Sequence, residues 1–288
     1  MPDVIIIGLG PAGASAAIYL CRANRRALLV GKDFGALQKA EKIENYFGLE
    51  EPISGEALAH RGLEQARSLG AEILFSEALD LSWEPEGFRL LTGEGEASAP
   101  CVILATGASR RTLPIPGLAA LEGHGVSYCA VCDAFFYRGR SVGVLGAGDY
   151  ALHEAAHLLP VAGSVTLFTN GAPVPEGMDP RLSAVTDPLA ALVGDEQLSA
   201  VRLAGGREVP VEGLFVALGS ASAGDFARKL GAEVKNGSIV VDDSMQTAVP
   251  GLFAAGDCTG GLLQVSTAVG DGARAAMGVL RYLRESGK

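Results

Sequence analysis

Short β-branched apolar runs recur along this chain, and most of them stop at a glycine. The first, Val4-Ile5-Ile6-Ile7-Gly8, has no polar alternation, so it predicts a strand buried on both faces of a parallel sheet. Gly8, Gly10 and Gly13 follow as Gly-x-Gly-x-x-Gly and lead into an alanine-rich helix predicted over 12–23. A second strand is predicted at 27–30. The same plan returns later: an apolar run at 141–146, Gly146, Gly148 and Ala151 as a second glycine turn, a helix to about 159 that Pro160 stops, and a strand at 164–168. Two copies of one strand–loop–helix–strand unit are therefore expected. Between and after them the pattern predicts an amphipathic helix over 55–69 with Leu58, Leu63, Ala66 and Leu69 on one side. It also predicts strands near 71–75, 87–92, 100–107, 209–219 and 249–257, and a closing helix over 265–283. Residues 41–48 show no regular period and read as a polar–aromatic loop.

Glycine turns of this kind carry a physical meaning in this frame. They allow a tight turn and let a pyrophosphate approach the backbone, while the helix start offers N–H groups and a positive dipole end. Small residues such as Ala12 and Ala14 let the helix lie close to the sheet. An acid to hold a ribose is expected at the end of the second strand; Gly31-Lys32-Asp33 stands there instead, with Asp33 as the nearest substitute. The second copy is poorly equipped for a phosphorylated nicotinamide cofactor. After Phe168 the first basic residue is Arg181, and Asp149 adds negative charge inside the loop.

Chemistry concentrates between the two copies, at Cys129-Ala130-Val131-Cys132-Asp133. Two thiols three residues apart meet within one helical turn, which suits the Cα separation of a disulfide, roughly 4.4–6.8 Å. Close pairs of this kind cycle between dithiol and disulfide, and Asp133 is placed to give or take a proton. The competing reading is a structural zinc half-site or two buried thiols. Zinc needs a second pair of ligands, and Cys21, Cys101 and Cys258 are scattered singly. Cys101 and Cys258 read as core fillers.

Composition narrows the partners. The chain has 288 residues, enough for about two domains, with 48% hydrophobic residues and 39 glycines. Its formal charge is −10, from 33 acids against 23 bases, which argues against nucleic acid. No apolar run reaches a membrane span, and the chain runs from Met1 straight into a strand, so a cytoplasmic location is expected. Five cysteines in that compartment are better explained by chemistry than by a disulfide scaffold.

His153-Glu154-Ala155-Ala156-His157 matches the zinc pattern His-Glu-x-x-His, which makes a metal-dependent hydrolase a second hypothesis. It falls inside the helix already explained by the second glycine turn. Only His60 and His124 remain as further histidines, neither at metalloprotease spacing, so no metal site is expected. A redox sensor without catalysis is a third hypothesis, ranked low because no output domain follows.

Taken together, residues 8–13, 43–48, 105–107, 125–133, 213–219 and 254–257 resemble the low-molecular-weight thioredoxin reductases along nearly the whole chain. The resemblance implies an α/β fold of two Rossmann-like, three-layer, parallel-sheet nucleotide-binding domains, the second inserted in the first. An FAD-binding domain would comprise 1–113 and 248–288, and a dithiol-bearing NAD(P)-binding-like domain 114–247. FAD contacts are implied for Gly8, Gly10, Pro11, Ala12, Gly13, Asn45, Thr106, Gly107, Asp257, Gln264 and Val265. By the same resemblance Cys132 faces the flavin, Cys129 attacks thioredoxin or a similar small disulfide protein, and Asp133 donates a proton. A homodimer is implied too. Because Cys132 cannot face both flavin and partner at once, the small domain is expected to rotate about the two Pro/Gly crossings. The departures all fall in the second nucleotide loop and after Phe168. They resemble the ferredoxin-dependent flavin thioredoxin reductases, so ferredoxin is the expected donor and an ordinary NADPH-dependent enzyme the alternative.

Overall fold

A computed structural model of the chain describes residues 1–107, 113–218 and 222–288, and all their side chains except that of Cys132. The start of the crossing predicted at 110–117, and Gly219 at the end of the predicted 209–219 strand, lie outside the described residues. In chain order, the first run comprises β1 (Val4–Ile7), α1 (Pro11–Arg22), β2 (Ala27–Gly31), α2 (Gly55–Ser68), β3 (Glu72–Phe75), β4 (Ala78–Glu84), β5 (Gly87–Thr92), β6 (Gly95–Ala99) and β7 (Cys101–Leu104). The middle run comprises β8 (Val126–Ser127), α3 (Ala130–Asp133), β9 (Ser141–Leu145), α4 (Asp149–Leu158), β10 (Ser164–Phe168), β11 (Ser183–Val185), β12 (Leu189–Val193), β13 (Ala200–Leu203), β14 (Glu208–Pro210) and β15 (Gly213–Val216). The last run comprises α5 (Ala223–Lys229), β16 (Val234–Lys235), β17 (Ser238–Ile239), β18 (Leu252–Ala254) and α6 (Val265–Glu285).

Two compact units result: Met1–Ser109 with Ser222–Lys288, and Arg110–Ala221. In the first, a five-stranded sheet runs β18-β7-β1-β2-β3 with every pair parallel. Val4 and Ile6 face a core shared with α1, α2 and α6, while Ile5 and Ile7 are buried on the opposite face, where β5 and β6 of an antiparallel ribbon (β4-β5-β6) meet β7 and β1. Each such side chain removed from water contributes roughly 1.5–3 kcal/mol, which is why the strand tolerates no polar alternation. α1 lies tight against α6 because small residues meet there: a Cβ on Gly272 would stand 2.1 Å from the Ala12 carbonyl oxygen.

In the second unit the parallel sheet runs β11-β10-β9-β15-β8, with α4 against β9 and β10 and a second antiparallel ribbon, β12-β13-β14. Both units are Rossmann-like α/β folds.

The return to the first unit lies at Ser222, ahead of the predicted residue 248. The cause is local. Ser222 Oγ accepts from Asp225 N and Asp225 Oδ2 accepts from Ser222 N, a capping box that starts α5. α5 then buries Phe226 and Ala227 and pairs Lys229 with Asp80 at the edge of β4. On α2 the buried stripe is Ala59, Leu63 and Ala66, whereas Leu69 caps the helix end and is exposed, since the chain turns at Gly70.

Candidate active site

The first glycine turn is shaped by contacts that leave no room for side chains. Gly8 has φ +126°, and a Cβ there would stand 2.1 Å from the Ala105 carbonyl oxygen. At Gly13 it would stand 2.0 Å from the carbonyl oxygen of Gly8. Gly10 differs: nothing lies within 4 Å of its Cβ position, so this side of the loop is open. Gly10 caps α1 without a side chain, Pro11 occupies the first turn with Ala12 and Gly13, and that turn carries no acid. The loop thus presents backbone donors and a positive helix end to an open cradle, which fits a pyrophosphate.

Around the same sheet edge the other predicted residues converge. Thr106 and Gly107 continue from β7, with Thr106 Oγ1 accepting from Ala223 N at 2.8 Å. Gly256 packs on Ala12, a Cβ there falling 2.9 Å from Ala12 Cβ, and so sets Asp257 beside the loop. Burial pushes the Asp257 carboxyl pKa up, and the nearby Asp271 adds to the rise. Gln264 caps α6, whose first residue is Val265, and Asn45 Nδ2 donates to Gln264 Oε1 at 2.9 Å. The missing strand-end acid has a steric reason: a Cβ on Gly31 would meet Leu9 Cγ at 2.8 Å. Asp33, the nearest acid in the sequence, has its Oδ1 accepting from Gly35 N at 2.8 Å in a local turn. The acid at this corner is Glu77, just past β3, with 7% exposure and an ion pair to Lys32 at 3.3 Å. Its isolated position in the sequence carries no signal.

In the second unit, β8 delivers Ser127 and the chain turns into the four-residue helix α3. Cys129, half-buried, is disulfide-bonded, while Cys21, Cys101 and Cys258 are free. Cys132 lies on α3, and its side chain is outside the described residues. Asp133 Oδ2 accepts from Ser127 Oγ at 2.6 Å, and Ser127 Oγ accepts from Cys129 N at 3.1 Å, so Ser127 ties the acid to the cysteine backbone. From α4, Glu154 Oε2 accepts from Ala130 N at 2.6 Å. Tyr137, past the helix, has its pKa raised by burial and then by Asp133. Phe135 and Phe136 stand out at 70% and 69% exposure. Burial pushes Cys101 and Cys258 up to about 12.

The second glycine turn repeats the backbone and not the electrostatics. A Cβ on Gly146 would stand 2.2 Å from the Ala217 carbonyl oxygen, so the turn is as tight as the first. Asp149, however, is an exposed acid in the first turn of α4. After β10 the chain turns on itself: Thr169 Oγ1 donates to the Ala172 carbonyl at 2.5 Å and Asn170 Oδ1 accepts from Leu189 N at 2.8 Å. Arg181 is engaged by Asp179 through two bonds, at 3.0 and 2.7 Å. As for zinc, His153 and His157 bring their Nε2 atoms to 3.2 Å, and no group of three or more metal-ligating residues occurs among the described residues. No helix among them is long and apolar enough to cross a membrane.

Two Rossmann-like units, one with an open phosphate cradle and the other with a disulfide-bonded cysteine at a helix start, define a nucleotide-dependent disulfide oxidoreductase. Comparison with known proteins agrees. The model of the pyridine nucleotide-disulphide oxidoreductase family matches residues 2–272. A thioredoxin reductase from Treponema pallidum is 36% identical over 298 residues, covering 98% of this chain and 97% of the relative. An atypical thioredoxin reductase from Desulfovibrio vulgaris Hildenborough superposes with TM-score 0.92 at 40% identity, covering 99% of both chains. A ferredoxin-flavin thioredoxin reductase from Clostridium acetobutylicum gives TM-score 0.73 at 29% identity, covering 99% of this chain and 98% of that one. The chain belongs to the pyridine nucleotide-disulphide oxidoreductase family and, within it, to the FAD-dependent disulfide reductases of the thioredoxin reductase type.

Proposed function

We propose that this protein passes electrons from a one-electron donor of the ferredoxin class, through FAD and the Cys129–Cys132 pair, to thioredoxin or a similar small disulfide protein. The observation that carries the choice of donor is the second nucleotide loop: Asp149 opposes a pyrophosphate, no base follows β10 before Arg181, and Arg181 is held by Asp179. Similarity to a ferredoxin-flavin thioredoxin reductase supports the same reading. A homodimer in the cytoplasm is part of the proposal.

FAD, when bound, supplies the two-electron reducing equivalents. Gly10, Ala12 and Gly13 would hold its pyrophosphate by backbone N–H donors, while Gly8, whose amide donates to the Val30 carbonyl, and Pro11, which has no N–H, would shape the turn around it. Asn45, Thr106, Gly107, Asp257, Gln264 and Val265 would orient the rest from the sheet edge and the start of α6. Two electrons and two protons open the Cys129–Cys132 disulfide to the dithiol. The Cys129 thiolate then attacks a partner disulfide sulfur, forming a mixed disulfide and releasing one partner thiolate. Cys132, losing its proton, attacks Cys129 Sγ, releases the second partner thiolate and restores the internal disulfide. Asp133, hydrogen-bonded to Ser127, holds and moves the proton that leaves and returns.

An ordinary NADPH-dependent enzyme is the second reading, favoured by the intact backbone of the second glycine turn and by curated relatives named simply thioredoxin reductase. Anaerobic stopped-flow mixing separates the two. Reduced ferredoxin is expected to bleach the yellow flavin rapidly and micromolar NADPH is not; rapid bleaching by NADPH restores the second reading. Cys129→Ser is expected to abolish turnover with thioredoxin, and full activity in that variant sinks the dithiol assignment.

A further inference from the structure

The His-Glu-x-x-His stretch of α4 is not absorbed by the function above, and its central acid has an unusual place. Glu154 is 6% exposed, in a helix that packs directly on α3. Its Oε2 accepts from Ala130 N at 2.6 Å, the amide that immediately follows the disulfide-bonded Cys129. In dithiol helices, N–H groups at the start of the helix stabilise the thiolate of the first cysteine. Here one of those N–H groups is occupied by a carboxylate, so negative charge stands where positive potential would otherwise favour a thiolate.

We propose that Glu154 is a positioning residue of the redox pair: its buried carboxylate fixes the first turn of α3 through Ala130 and disfavours the Cys129 thiolate. The inference rests on the reading of Cys129 and Cys132 as the working pair. The consequence is directional. A dithiol whose attacking cysteine resists ionisation is the more reducing one, which suits a donor of electrons to other disulfides. Other charged and titratable groups on the elements around this turn are Asp133 on α3, Tyr128 before it and Tyr137 beyond it, and Asp149, Tyr150, His153 and His157 on α4. None of them binds the Ala130 amide.

Glu154→Gln tests the charge while keeping an oxygen that can accept from Ala130. The holoprotein is reduced anaerobically and alkylated with iodoacetamide from about pH 6 to about pH 10, bracketing the ordinary thiol pKa of roughly 8.5, with each cysteine quantified by mass spectrometry. The wild-type Cys129 profile is expected to have its midpoint at or above that ordinary value. In Glu154→Gln the midpoint should fall by about one unit, giving about tenfold more thiolate at neutral pH. An unchanged midpoint in the variant means the contact is merely structural and overturns the proposal. So does a wild-type midpoint well below the ordinary value, a measurement that needs no variant to fold. Failure of the underlying reading looks different: Cys129 would then not become alkylatable at any pH when the bound flavin is reduced.

Discussion

Two alanine substitutions three residues apart, at Gly10 and Gly13, should separate packing from ligand binding at the first loop. At Gly13 the new Cβ lands 2.0 Å from the carbonyl oxygen of Gly8, and Gly8 cannot retreat because its own Cβ position is 2.1 Å from the Ala105 carbonyl. The helix must lift off the sheet. Overpacking of this kind costs about 3 kcal/mol at the upper end of its usual range. For a unit of this size that is a fall in Tm of about 6–12 °C. At Gly10 the Cβ position has nothing within 4 Å, and the backbone is extended at φ −77°, which alanine adopts freely. Gly10→Ala therefore loses only the helix-cap preference of glycine over alanine, about 0.5–1 kcal/mol. Its methyl instead enters the cradle assigned to the pyrophosphate. Flavin affinity should fall at least about tenfold, equivalent to about 1.4 kcal/mol. Urea unfolding of the two apoproteins, followed by circular dichroism, measures the first quantity. Titration of apoprotein with FAD, followed by flavin fluorescence, measures the second. Gly10→Ala binding FAD as tightly as wild type, or Gly13→Ala unfolding at the wild-type urea concentration, would refute the reasoning.

Three further outcomes are expected. Asp257 has its pKa raised in the folded apoprotein, so its contribution to stability is present below the ordinary carboxylate value of about 3.9 and is lost as pH rises through the raised value. Asp257→Asn should flatten that part of the apoprotein stability profile in urea titrations, and an unaltered slope counts against burial as the cause. Cys101 and Cys258, pushed up to about 12 by burial, should resist iodoacetamide in the native protein at neutral pH and react once urea unfolds it; native labelling at either position refutes the packing. Phe135→Ser or Phe136→Ser, at side chains 70% and 69% exposed beside the dithiol helix, should raise KM for a protein disulfide about tenfold while sparing a small disulfide reagent. Equal effects on both substrates would assign these rings to packing.

How much of this could be read from residues alone depended on the strength of each local signal. Val4–Ile7 is an unbroken apolar run ended by glycine, Ser141–Leu145 is one after its exposed first serine, and both are the central strands of their sheets. The antiparallel ribbons were harder. β4 and β12 carry mixed burial along their length, and a register shift interrupts the pairing of each, so neither shows a clean period of two. The return at Ser222 did have a sequence signal, the spacing of Ser222 and Asp225, which the more conspicuous Pro250-Gly251 step overshadowed. Glu77 and Glu154 were unreadable for a different reason. A single acid in a sequence gives no indication that the fold will bury it; only the packing of β3 against β2, and of α4 against α3, does that.

The same backbone plan appears twice here, and what separates the copies is a handful of charges. The start of α1 has no acid, so its dipole end is available to an anionic ligand. The start of α4 carries Asp149, which neutralises its own dipole end by about 0.3–1 kcal/mol and repels a second anion by Coulomb's law. Further along α4, Glu154 reaches Ala130 rather than any ligand. On the donor assignment proposed above, the start of α4 does not recruit phosphate, and the helix instead carries Glu154 into contact with α3. On this argument, restoring nucleotide binding to the second unit takes more than arginines after β10. Asp149→Asn must come first, because a 2′-phosphate clamp placed there would still face a helix start that rejects the pyrophosphate. The double change, Asp149→Asn with basic residues at 170 and 171, should yield measurable NADPH-dependent flavin bleaching where the basic residues alone yield none; bleaching from the clamp alone would show that Asp149 is not the barrier.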